Sequence, residues 1–221
     1  MRHVLILGAG TAGTMMANKL RKALPLAEWA ITVLDRDTDH VYQPGLLFLP
    51  FGLYEESDLV RPRSFFLSAG IDLRLDPVDR VVPAERHVLL EDGTVLGYDV
   101  LIVATGTRIA PEATEGLAGP GWMETAFDFY TVEGAAALRT KLDSWTGGRL
   151  VLNVVDMPIK CPVAPLEFLF LADHFFQEKG IRDQVELVYA TPLDGAFTKP
   201  RASAGAGDEL PAHVRAEVDR F

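Results

Sequence analysis

The single cysteine of this 221-residue chain, Cys161, lies in the run from Val154 to Pro165, Val-Val-Asp-Met-Pro-Ile-Lys-Cys-Pro-Val-Ala-Pro. An apolar, strand-like stretch, Leu150 to Val155, precedes it, and a helix-like stretch begins near Pro165. A strand–turn–helix junction that holds a pyrophosphate is glycine-rich, because the backbone must come close to the phosphates. This turn has no glycine, and Pro158, Ile159, Pro162 and Val163 obstruct such an approach, which argues against NAD(P)H here. It offers a thiol instead. A basic neighbour, Lys160, and a following helix N-terminus favour the thiolate, the nucleophilic form of cysteine. Glu167, further along, is a candidate for handling protons near the sulfur. The plainer alternatives are a buried inert cysteine, a surface Lys160 and a solvated Glu167 on a helix. The lost fingerprint favours Cys161 as a nucleophile, with Lys160 and Glu167 in support.

An earlier junction keeps its glycines. Gly8-Ala9-Gly10-Thr11-Ala12-Gly13 fits G-x-G-x-x-G, a weak pattern alone but one set here in its full context. A buried strand, Val4 to Leu7, leads in. A helix from Thr11 to Leu24 leads out, with Met16, Leu20 and Leu24 on one face. A second strand, Ile31 to Leu34, ends at Asp35. Gly8 permits the tight turn, Gly10 lets backbone approach a pyrophosphate and Gly13 lets helix and strand pack closely. Thr11 and Ala12 present the helix N-terminus to the anion. Asp35, roughly 20 residues past Gly13, suits a ribose hydroxyl, and an Asp there disfavours a 2′-phosphate. Arg36 follows it as a further candidate contact. The alternative is a tight turn that holds no ligand.

These junctions need elements to carry them. Residues 44–62 are irregular, apolar and rich in Gly and Pro, so they read as a long loop or short helical turns, and loops of that length are usually functional. Tyr42-Gln43-Pro44 opens it, with Gln43 either lining a cofactor or belonging to an ordered turn. Ile71 to Leu75 reads as a strand, Val78 to Gly97 as a small antiparallel meander, and Val100 to Val103 as a buried strand ending at Ala104-Thr105-Gly106. A Gly- and Pro-rich crossing follows from Pro111 to Trp122. Phe129 to Trp145 reads as helix, Leu150 to Val155 as strand, Pro165 to Lys179 as helix and Val185 to Ala190 as strand. The expected fold is α/β, with two Rossmann-like three-layer units and the meander. Residues 1–110 form the first domain, 111–200 the second with Cys161, and 201–221 an incomplete C-terminal segment.

Bulk properties narrow the function. The formal charge is −10, from 21 basic and 31 acidic residues, with no basic run, which argues against nucleic acid and against attraction to anionic lipid. No apolar run approaches the ~18 residues of a spanning helix. The first strand starts almost at Met1, leaving no room for a signal peptide before it, and one cysteine builds no disulfide framework, so a cytoplasmic location is expected. The five histidines show no ligand spacing, and no metal site is expected.

On these residues the chain resembles the sulfide:quinone oxidoreductases and their sulfide-dehydrogenase relatives, within the two-dinucleotide flavoproteins. The matching pieces are Gly8 to Gly13, Asp35, Val41 to Pro44, Ala104 to Gly106, Pro158 to Pro165 with Cys161, Ala190 to Pro192 and Phe197 to Pro200, of which Ile159-Lys160-Cys161-Pro162 is the most specific. The resemblance implies FAD, with Gln43 and Ala104-Thr105-Gly106 among its contacts and its ring between the two units. Two cysteines flank the ring in that family. Sulfide attacks their bridge to give a persulfide, and the released thiolate, matching Cys161, passes two electrons through the flavin to a quinone or a cytochrome subunit. The second cysteine, the quinone pocket and the membrane-contacting part belong to a C-terminal third that the resemblance does not find here. Hence the expectation is an incomplete enzyme, peripheral on the inner membrane when full length. A homo-oligomer stays open. Residues 122–128 lack the cysteine that tethers flavin in some members, which implies noncovalent FAD. Two other readings stay open: a type II NADH dehydrogenase, which shares the architecture, and a catalytically silent flavin-binding remnant.

Overall fold

The computed structural model describes residues 1–193, which fall into two compact units. The first comprises residues 1–43 and 55–119. Its strands and helices are β1 (Arg2–Leu7), α1 (Thr11–Ala23), β2 (Trp29–Leu34), β3 (Asp39–Val41), α2 (Glu56–Leu59), β4 (Val60–Pro62), β5 (Asp72–Arg74), β6 (Val78–Val82), β7 (His87–Leu90), β8 (Val95–Gly97) and β9 (Val100–Val103). A parallel sheet in the order β5-β2-β1-β9 forms its centre. Being covered on both faces, β1 reads as a continuous apolar run. Val4 and Ile6 point to one side, with Ala9, Ala17, Ile31 and Val33. Leu5 and Leu7 point to the other and meet Val88 and Leu90 of the antiparallel meander β6-β7-β8. Helix α1 and the meander cover opposite faces of this sheet.

Met16 does not take the place expected of it. It is exposed, and α1 turns Gly13, Thr14 and Ala17 inward. Small residues let the helix axis approach the strands closely, so the inward face is marked by size rather than hydrophobicity. A short antiparallel hairpin, β3 with β4, is also unanticipated.

The second unit comprises residues 44–54 and the chain from Pro120. Its elements are α3 (Val132–Ser144), β10 (Gly148–Asn153), α4 (Ala164–Glu178) and β11 (Val185–Ala190). β10 and β11 pair in parallel. Phe168 and Phe176 of α4, Leu138 and Leu142 of α3, and Leu152, Leu187 and Tyr189 of the strands share one core. The boundary lies at residues 119/120 rather than 110/111. The segment 44–54, expected as a loop of the first domain, belongs to the second unit, because Leu47 and Phe51 join this core and Phe51 packs on Phe168 at 4.9 Å. The expected segment 201–221 lies outside the described residues.

Candidate functional site

The carboxyl ends of β1, β2 and β9 converge. Gly8 has φ +98°, and a Cβ on it would stand 2.3 Å from the Ala104 carbonyl oxygen and 3.0 Å from Thr105 Cα. A Cβ on Gly13 would stand 1.8 Å from the Gly8 carbonyl oxygen. These two glycines are required by the protein's own packing. Gly10 is different: a Cβ there would have nothing within 4 Å. Its open side, beside the exposed Thr11 and Ala12 at the head of α1, is where a ligand's phosphates could approach amides that lack intrahelical acceptors. Gly106, with φ +72°, closes the turn after β9.

Asp35 stands at the end of β2 with 13% of its side chain exposed. Its Oδ2 accepts from the Ala9 amide at 2.7 Å, and its Oδ1 from the Arg36 amide at 2.8 Å. The carboxylate therefore ties β2 to the glycine turn. A carboxylate has about four lone-pair sites, so capacity remains on Oδ2. Arg36 extends into solvent, 82% exposed. Gln43 is exposed at the start of a 3₁₀ turn. One participant carries no sequence signal. Arg63, 10% exposed, pairs with Asp35 and Asp37. It lies far along the chain in a Pro-rich stretch, and only the β3–β4 hairpin brings it back.

The second candidate site stands on α4 and the turn before it. Cys161 is exposed. It adopts φ +55°, a left-handed backbone that is uncommon for a residue with a Cβ. Its carbonyl accepts from the Ala164 amide at 3.0 Å, joining the turn to the first residue of α4. Lys160 is exposed, and its carbonyl accepts from the Tyr130 hydroxyl at 2.8 Å. Burial, then the neighbouring Cys161, pushes the Tyr130 phenol up to about 12, so it stays protonated as a donor across the ordinary range. Its ring stacks on Phe129, which stacks on Phe168 of α4. Tyr130 was not singled out in the sequence. Glu167 is exposed in the first turn of α4, a favourable position for a carboxylate at a helix N-terminus. Phe197 to Pro200 lie outside the described residues.

Comparison with known proteins follows the glycine cradle. The family described as pyridine nucleotide-disulphide oxidoreductase matches residues 2–154. The chain belongs to that family. It is 24% identical over 195 residues to the mitochondrial sulfide:quinone oxidoreductase of Mus musculus, covering 88% of this chain and 43% of the mouse protein. It is 31% identical over 113 residues to a type II NADH:quinone oxidoreductase of Mycobacterium tuberculosis, covering 48% of this chain and 23% of that one. The solved sulfide:quinone oxidoreductase of Aquifex aeolicus shares the fold, with a TM-score of 0.76 at 21% identity over 100% of this chain and 48% of that one. The chain thus spans less than half of these relatives. The family and this solved neighbour are FAD-binding flavoproteins. The cradle fits that cofactor, since it is open where phosphates pass at Gly10 and closed by backbone at Gly8 and Gly13. No helix among the described residues is long and apolar enough to cross a membrane.

Proposed function

We propose that this chain carries the FAD-binding part and one redox thiol, Cys161, of a sulfide:quinone oxidoreductase. One observation carries the reading: an exposed thiol, held in a left-handed backbone, occupies the glycine-free turn between β10 and α4, where a nicotinamide cofactor would need glycines. Gly8, Gly10, Thr11, Ala12, Gly13 and Asp35 hold the FAD diphosphate and ribose, with Ala104, Thr105 and Gly106 against the glycine turn. Bound FAD supplies a two-electron acceptor. Hydrosulfide attacks a bridge between Cys161 and a second thiol. The sulfur–sulfur bond breaks, the attacking sulfur stays on the second thiol as a persulfide, and Cys161 leaves as thiolate. The Cys161 thiolate and the persulfide then rejoin as a trisulfide, and the two electrons so released pass through the cofactor to a quinone, which takes up two protons. Lys160 offsets the thiolate charge, and Glu167 handles the proton of hydrosulfide. Quinones are apolar, so a peripheral membrane contact accompanies this reading.

The chain holds one cysteine, so the bridge partner must be supplied for the test. Cys161 is converted to a mixed disulfide with a small aromatic thiol, loaded with FAD and mixed anaerobically with sulfide or with NADH. Sulfide should insert one sulfur into this bridge, giving a trisulfide with a matching mass increase, and bleach the flavin, while NADH should do neither. Flavin bleached by NADH and not by sulfide would favour the type II NADH dehydrogenase reading instead. Without the added bridge, turnover of free sulfide and a soluble quinone should be negligible. A rate near the ~10 per second of an ordinary enzyme would remove the need for a second thiol.

A further inference from the structure

We propose that Arg63 is a positioning residue for FAD, acting through Asp35 to set the acceptor that reads the adenosine ribose. The proposal rests on the FAD reading of the cradle. Arg63 is 10% exposed, and a buried guanidinium needs partners for both its charge and its donors. Its Nε donates to the Asp37 carbonyl at 3.0 Å, and its terminal nitrogen donates to Asp37 Oδ1 at 2.7 Å. The same nitrogen stands 3.3 Å from Asp35 Oδ1. Its own amide donates to Thr38 O at 2.8 Å, fixing the backbone that carries it.

Arg63 thereby holds Asp35 from behind, on Oδ1, while the Ala9 amide holds it from the glycine turn, on Oδ2. With Oδ1 also occupied by the Arg36 amide, the acceptor capacity left for a ligand lies on Oδ2, next to the turn that would receive the diphosphate. Arg63 also separates two like charges, since without it Asp35 and Asp37 would face each other uncompensated. His40 is the other ionisable group at this turn. Its ring contacts the Ala9 carbonyl at 3.2 Å, so it supports the turn without touching the carboxylate. The role proposed for Arg63 needs no contact with the cofactor. Its effect runs through where Asp35 points.

A merely structural arginine and a positioning one differ in a ligand cycle. The chain is titrated, by flavin fluorescence, with FAD and with FAD lacking the adenosine 2′-hydroxyl. The parent should prefer FAD by about tenfold, the worth of one hydrogen bond to a charged acceptor. Arg63→Ala should bind both forms with a ratio near one. Arg63→Lys, which keeps the charge but not the fork, should recover part of the preference. Asp37→Ala, which frees Arg63 from its second anchor at a half-exposed site, should reduce it. Asp37→Ala and Arg63→Lys carry the test if Arg63→Ala fails to fold. A tenfold preference kept in all three variants overturns the proposal, as does a parent with no preference. A parent that binds neither form overturns the FAD reading and this proposal with it.

Discussion

Two strand-to-helix turns in this chain answer the same geometric demand with opposite chemistry. After β1, residues 8–10 alone separate the strand from α1, and glycine is forced at Gly8 and Gly13 by backbone atoms closer than any Cβ tolerates. After β10, residues 154–163 intervene before α4, with prolines in place of glycines. The short turn presents the open side of Gly10 at the head of α1. The long turn brings a side chain to solvent. A left-handed residue is present in each, but in the first it is Gly8 at φ +98° and in the second Cys161 at φ +55°. Glycine would adopt that conformation without penalty. A thiol kept there against conformational preference is better explained by what the sulfur does than by what the backbone needs.

The largest effects should separate the glycines of the first turn from one another. Gly13→Ala drives a methyl into the Gly8 carbonyl and should destabilise the chain by about 3 kcal/mol, read as a lower melting midpoint with or without flavin. At Gly10 an added Cβ meets no protein atom within 4 Å, which leaves room to begin the side chain of Gly10→Val. That variant should melt like the parent and yet purify colourless. A yellow Gly10→Val protein would mean that the diphosphate does not pass over this residue.

A second pair of substitutions tests the second turn. Cys161→Gly should be more stable than Cys161→Ala by about 1 kcal/mol, because only alanine carries a Cβ into the left-handed region. Both should lose all reaction with iodoacetamide. Equal melting midpoints would place the φ of Cys161 elsewhere in solution and weaken the contrast between the turns.

Legibility in the sequence follows the same division. β1, α1, β2 and the meander could be read because buried parallel strands are continuous apolar runs and antiparallel ones alternate. The glycine turn is legible because backbone packed closer than any Cβ tolerates admits only glycine at Gly8 and Gly13. Other features left no local signature. The strands of the β3–β4 hairpin are too short to show a period. The apolar run Leu46 to Phe51 announces burial but not which core receives it, and it enters the second unit. Met16 was placed inside because hydrophobicity was read where size decided. Arg63 and Tyr130 act through partners far away in the chain, Asp35 and Lys160. Gln43 as a cofactor contact follows from the resemblance alone, and it lies exposed at the start of a 3₁₀ turn.

The smallest expected effect concerns how the thiol turn is held. Tyr130→Phe keeps the ring on Phe129 and removes only the hydroxyl that donates to Lys160 O. The loss should be about 1 kcal/mol or less, as for a neutral hydrogen bond. Its pH dependence is the sharper measurement. The phenol is pushed up from 10.0 to about 12, by burial first and then by Cys161. Folding therefore favours the protonated form. The stability that this contributes is fully present below pH 10 and is lost as pH rises through about 12. Phenylalanine has no such group, so the parent's advantage over Tyr130→Phe should shrink across that window and stay flat below it. The turn should also loosen once the donor is gone, and the iodoacetamide rate of Cys161 should differ between the two proteins at neutral pH. A constant stability difference up to pH 12, with equal alkylation rates, would show that the turn around Cys161 holds its shape without Tyr130. Its prolines and the link from Cys161 O to the Ala164 amide would then suffice.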